Sequence, residues 1–118
     1  MKKAFTLPTC KTCQRIFDEL QPEAHGCEVV DIKSEGIAPE DLDAMAAHAG
    51  SYEALFSRRA MKFRSMGLAD QELTEADYRR LILEEYTFLK RPVFLFDDAV
   101  TAGSAKAAVA EARERLNG

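Results

Sequence analysis

Lys3–Leu20 reads KAFTLPTCKTCQRIFDEL, and a change of period inside it decides the fold. Lys3–Leu7 (KAFTL) is a short strand candidate that stops at Pro8, a residue with no N–H to offer a sheet ladder. From Thr12 the spacing changes. Cys13, Ile16, Phe17 and Leu20 fall at i, i+3, i+4 and i+7, one stripe of a helix, and Pro22 and Gly26 end it. Glu28–Ile32 (EVVDI) is a second strand candidate, followed by polar sequence through Gly36. Strand, helix, strand in this order is how a parallel sheet opens.

Further along, Pro39 sits at a first helical position, with Leu42, Met45, Ala46 and Ala49 on one face and Gly50 as the stop. Tyr52, Leu55 and Phe56 carry a short helix that ends in Ser57-Arg58-Arg59, and Met61–Met66 adds another turn closed by Gly67. Thr74 caps the next helix, with Asp77 three residues on, and Tyr78, Leu81, Ile82 and Leu89 form its apolar face. Val93–Phe96 and Ala99–Ala102 flank Asp97-Asp98 as a hairpin. Ser104 caps a last helix with Ala105, Ala108, Val109, Ala112 and Leu116 inward. The expected fold is α/β: a mixed four-stranded sheet in βαβ…ββα order, with a helical insertion between strands 2 and 3. That is the thioredoxin-like arrangement. It is expected as one domain over residues 1–118, its core about 1–37 and 90–118 and its insertion about 38–89.

Composition sets the frame. A chain of 118 residues, 47% hydrophobic and 31% charged, is an ordinary globule that buries roughly two-thirds of its unfolded surface. Disorder, collagen-like repeats and disulfide scaffolds are excluded. A net charge of −4 argues against direct nucleic-acid binding or an anionic membrane surface, which need surplus Lys and Arg. Lys2 and Lys3 are followed by only four apolar or small residues before Pro8, too few for a signal peptide, and no stretch is long enough for a membrane span. Three cysteines, two of them spaced C-x-x-C, fit a cytoplasmic protein with redox or metal chemistry.

Cys10-Lys11-Thr12-Cys13 lies between the first strand and the first helix. Backbone N–H groups at a helix start, with Lys11 and Arg15 nearby, favour an anion and lower a thiol pKa. Cys10 precedes the helix and is the expected exposed nucleophile. Cys13 shares the stripe of Ile16 and Phe17 and points inward, either as a resolving partner close enough to bridge or as a buried core thiol. His25 and Cys27 would bring the count of zinc-type ligands to four, but the spacing fits no common zinc pattern, and no metal is expected.

Two basic sites remain: Ser57-Arg58-Arg59 and Lys90-Arg91-Pro92. Guanidinium groups bind oxyanions bidentately and keep their charge near neutral pH. Arg91 is the stronger candidate because Pro92 fixes it at a strand start, where thioredoxin-like proteins place a cis-proline against the active thiol.

Thr6–Arg15 (TLPTCKTCQR), Ala54–Leu68 (ALFSRRAMKFRSMGL), Leu89–Pro92 (LKRP) and the final helix together resemble the ArsC family, across essentially the whole chain. That family includes glutaredoxin-linked arsenate reductases and Spx-type transcription regulators. The resemblance implies that Cys10 attacks arsenate, that arginines hold the oxyanion, and that glutathione with glutaredoxin supplies electrons. Arg91 matches the arginine of the family's Arg-Pro pair. The insertion arginine is Arg59 by the Spx-type pattern and Arg58 by the reductase pattern. A third reductase arginine falls at about Ser104 and is missing, and Thr6-Leu7 stand where the reductases have His-Asn.

Cys13 has no counterpart in single-cysteine reductases, whereas Spx-type proteins carry C-x-x-C as a redox switch and bind the RNA polymerase α subunit. The resemblance therefore implies an arsenate reductase-like thiol oxidoreductase with no bound cofactor. Its substrate is a small oxyanion or thiol, and glutaredoxin or thioredoxin donates electrons. An Spx-like regulator and a glutathione-dependent reductase of small disulfides are the alternatives.

Overall fold

The computed structural model describes residues 2–117. Strand β1 (Lys3–Thr6) ends before Pro8, and helix α1 (Lys11–Leu20) carries the chain back to β2 (Glu28–Asp31). β1 and β2 pair in parallel, with Ala4 opposite Val29 and Phe5 opposite Val30. A parallel pair needs such a crossover, because no tight turn can return the chain to the same end of the sheet. α1 stops where the sequence requires it. Gln21 adopts a left-handed conformation at φ 48°, its N–H bonds the Phe17 carbonyl at 2.8 Å, and Pro22 follows. A short 3-10 turn, Pro22–His25, leads into β2.

The described residues form two compact units, one of residues 2–35 with 91–117 and the other of Gly36–Lys90. The second unit is helical. It holds α2 (Pro39–Ala49), α3 (Met61–Ser65) and α4 (Glu75–Glu84), with 3-10 turns at Glu53–Leu55, Leu68–Asp70 and Tyr86–Phe88. Its core is aromatic: Phe56 stacks on Phe88 with centroids 4.9 Å apart and meets Tyr78 edge-on at 4.9 Å. Thr74 and Asp77 form a full reciprocal capping box at the start of α4. One assignment needs correction here. Leu89 is fully buried but does not lie on α4, which ends at Glu84; it follows the 3-10 turn and pairs antiparallel with Phe56.

The first unit closes with β3 (Val93–Leu95), β4 (Val100–Ala102) and α5 (Lys106–Asn117). β3 runs antiparallel to β1 and to β4, giving the sheet order β2-β1-β3-β4. This is an α/β fold with a mixed four-stranded sheet, the thioredoxin-like arrangement. One core cluster joins Ala4 of β1 and Phe94 of β3 to Ile16 and Leu20 of α1 and to Ala112 and Leu116 of α5. The last helix also departs from expectation. It begins at Lys106, two residues after Ser104, and Ala105 is exposed, so the buried face is Ala112 and Leu116 with Val109 half-buried. Among the described residues no helix is long and apolar enough to cross a membrane.

Candidate functional site

Cys10 is the N-cap residue of α1, in extended backbone conformation at φ −87° and ψ 112°. Its own N–H bonds the Leu7 carbonyl at 2.9 Å and its carbonyl accepts from the Gln14 N–H at 3.0 Å, so a tight turn around Pro8 seats it at the helix start. The first N–H groups of a helix have no intrahelical acceptor and bear partial positive charge. A thiolate at the N-cap lies in their field. Partial burial pushes the Cys10 thiol up, but the donors outweigh it. The Cys13 N–H and thiol, and then the Arg91 guanidinium by charge and hydrogen bond, hold it below the ordinary thiol value.

Cys13 has the opposite setting. It is fully buried on the Cys13–Ile16–Leu20 face of α1. Burial first, and then its contact with the Cys10 sulfur, push its thiol up to about 11, against the lowering effect of the Leu7 N–H and the Thr6 hydroxyl. The pair therefore divides as one thiol more acidic than usual and one less acidic, with the S–H of Cys13 donating to the Cys10 sulfur. Both are free thiols, as is Cys27. Cys27 is buried in the core cluster with Ala4, Ile16 and Phe94, and its burial pushes its thiol up as well.

Arg91 stands two residues before β3, and the Arg91–Pro92 peptide bond is cis. Pro92 is buried, and its carbonyl accepts from the Gly103 N–H at 2.9 Å, which ties this corner to the hairpin. Arg15 is exposed, on the flank of α1 away from the buried stripe, as are Lys11 and Thr12. The structure thus brings Cys10, Cys13 and Arg91 together, with Pro92 adjoining. Thr6 and the Leu7 N–H are the additional groups at Cys13. Sequence reading noted Thr6 only as a replacement, although strand alternation from Ala4 was a signal that could have placed it facing α1.

In the second unit, Arg58 and Arg59 lie in a turn between the 3-10 turn at Glu53–Leu55 and α3, rather than at the end of a helix. The turn is fixed from behind. The Ser57 N–H bonds the Phe88 carbonyl at 2.6 Å, and the Lys90 N–H bonds the Leu55 carbonyl at 2.8 Å. Arg58 is engaged within its own unit: it pairs with Glu53 at 2.7 Å, donates to the Tyr78 hydroxyl at 3.0 Å and lies over the Tyr78 ring. Arg59 is exposed, and no hydrogen bond or ion pair holds it among the described residues. The two adjacent arginines therefore differ in availability.

Comparisons with known proteins agree with one another. The model of the ArsC family matches residues 5–112. No curated protein matches the sequence. Among solved structures, an arsenate reductase (ArsC) related protein from Brucella melitensis is 26% identical. The match covers 97% of this chain and 94% of that one, with a TM-score of 0.66. A protein named YFFB is 25% identical, with coverage of 95% and 98% and a TM-score of 0.74. An arsenate reductase from Vibrio cholerae, 15% identical, matches in fold with a TM-score of 0.78 over 93% of this chain and 95% of that one.

Proposed function

The chain belongs to the ArsC family, and from that premise we propose that it is a thiol oxidoreductase, acting as an arsenate reductase, that works through the Cys10–Cys13 dithiol. One observation carries this reading. The Cys13 N–H and thiol and the Arg91 guanidinium lower the Cys10 thiol pKa, while burial raises that of the neighbouring Cys13 to about 11 and keeps it protonated. A nucleophile and a resolving thiol need that asymmetry.

The reaction then runs as follows. The Cys10 thiolate attacks arsenic, an S–As bond forms, and one arsenate oxygen leaves as water after protonation. Arg91, whose guanidinium lowers the Cys10 thiol pKa, holds the remaining oxygens, and Arg59, exposed and with no hydrogen bond or ion pair among the described residues, is the candidate anion ligand of the second unit. Arg58, already committed to Glu53 and Tyr78, supports the turn that carries Arg59. Cys13 next attacks the Cys10 sulfur. An S–S bond forms, the S–As bond breaks with its electron pair passing to arsenic, and arsenite departs. Arsenic is reduced by two electrons and the dithiol is oxidised to a disulfide, which thioredoxin, or glutathione with glutaredoxin, reduces by exchange.

The free, adjacent thiols also favour a second reading, an Spx-like switch whose dithiol sets affinity for the RNA polymerase α subunit. Coupled NADPH oxidation separates the two. It is measured with and without arsenate, once with glutathione plus glutaredoxin and once with thioredoxin plus its reductase. The oxidoreductase gives arsenate-dependent turnover that Cys10→Ser abolishes. Absence of turnover with both donors, together with a redox-dependent complex with the α subunit, overturns it in favour of the switch.

A further inference from the structure

Thr6 and Cys13 meet for a reason built into both elements. Ala4 of β1 and Ile16 of α1 share one core cluster. Thr6 follows Ala4 by two residues, so strand alternation puts it on the same face of the sheet. Cys13 precedes Ile16 by three, on the same buried face of the helix. Because α1 runs back along β1, Thr6 and Cys13 lie one step beyond Ala4 and Ile16 on facing buried surfaces. Thr6 is one of two polar side chains buried among the described residues, at 7% exposure, and its hydroxyl and the Leu7 N–H both act to lower the Cys13 thiol pKa against the effect of burial.

Taking the dithiol reading above as its basis, we propose that Thr6 is a positioning residue that readies Cys13 for attack once Cys10 has been consumed. In the resting protein the Cys13 S–H donates to the Cys10 sulfur, whose thiol pKa is lowered, and a second thiolate beside a Cys10 thiolate is disfavoured. When the Cys10 sulfur becomes bonded to arsenic or to another sulfur, its charge is gone and it no longer holds the Cys13 proton. The Thr6 O–H and Leu7 N–H remain, and both favour a Cys13 thiolate. The Cys13 proton passes to the departing group or to water. The new thiolate attacks the Cys10 sulfur, the S–S bond forms, and the leaving group takes the electron pair of the bond that breaks. The buried thiol is thus silent at rest and active only when there is something to resolve.

The aromatic disulfide DTNB reads the two steps separately. Cys10 releases one thionitrobenzoate as it forms a mixed disulfide; Cys13 then releases the second as it forms the Cys10–Cys13 bond, whose identity peptide mapping by mass spectrometry gives. The variants are Thr6→Val, which keeps shape without the hydroxyl, and Thr6→Ala, with Thr6→Ser as the conservative rescue. Loss of one charge-assisted hydrogen bond moves the pH midpoint of the second phase up by about one pH unit. At neutral pH the second phase slows only about threefold, because a more basic thiolate is scarcer but more nucleophilic. The first phase stays unchanged, and Thr6→Ser restores the second.

A second phase with wild-type midpoint in both Thr6→Val and Thr6→Ala overturns the role of Thr6 while leaving the dithiol reading intact. Release of a single equivalent by the wild type, with no Cys10–Cys13 bond, overturns the dithiol reading itself. If Thr6→Val does not fold, Thr6→Ala carries the same decision.

Discussion

Cys10 and Cys13 are three residues apart and belong to different environments. Cys10 sits ahead of the helix beside a guanidinium, and Cys13 is fully enclosed. That difference predicts their reactivity. Iodoacetamide should alkylate Cys10 with a pH midpoint below that of an ordinary thiol, while Cys13 and Cys27, both pushed up by burial, react slowly at neutral pH. Removing a positive charge from a thiolate raises its pKa. Arg91→Ala should therefore move the Cys10 midpoint upward and slow alkylation at any pH below it; an unchanged midpoint contradicts the Arg91–Cys10 contact. At this scale the sequence was legible where one residue is constrained by its neighbour: Cys10 by Pro8 and the helix start, Arg91 by Pro92. Arg58 and Arg59 were not separable, because what distinguishes them is Glu53, five residues back, and Tyr78, twenty residues on.

Elements were readable where periodicity and a stop signal coincide. α1 shows its stripe and its ending before Pro22, and α4 shows its Thr74–Asp77 box. The reading failed where tertiary packing substitutes for local signals. Leu89 continues the apolar content of α4, yet the chain leaves the helix at Glu84, and Phe56 recruits Leu89 into a bridge instead. Ser104 offers cap chemistry, but the hairpin holds Gly103 against Pro92, and the helix begins only at Lys106. The Arg58–Arg59 turn gives a prediction at this scale. Arg58→Ala loses a part-exposed ion pair and an aromatic contact and should destabilise the protein by roughly 1 kcal/mol in urea titration. Arg59→Ala removes no hydrogen bond or ion pair seen among the described residues and should leave stability unchanged while raising KM for arsenate. Equal effects of the two substitutions on both readouts contradict the division of roles.

For the whole molecule, the chain's net charge of −4 and the basic pair in the insertion carry different information. The net charge argues against polyanion partners, whereas in the proposed function individual guanidinium groups hold a single small anion. The topology was legible because a βαβ opening and a terminal hairpin followed by a helix leave few sheet orders to choose among. The proposed chemistry depends on the sheet bringing the end of β1, the start of α1 and the Arg91–Pro92 pair before β3 together. A single turnover tests that account most directly. The reduced protein is mixed with arsenate in the absence of any electron donor, and arsenite and protein thiols are followed together. The account predicts arsenite formed in equal amount to a Cys10–Cys13 disulfide, and none with Cys10→Ser. Arsenite without that disulfide, or a reduced protein that leaves arsenate untouched, contradicts it.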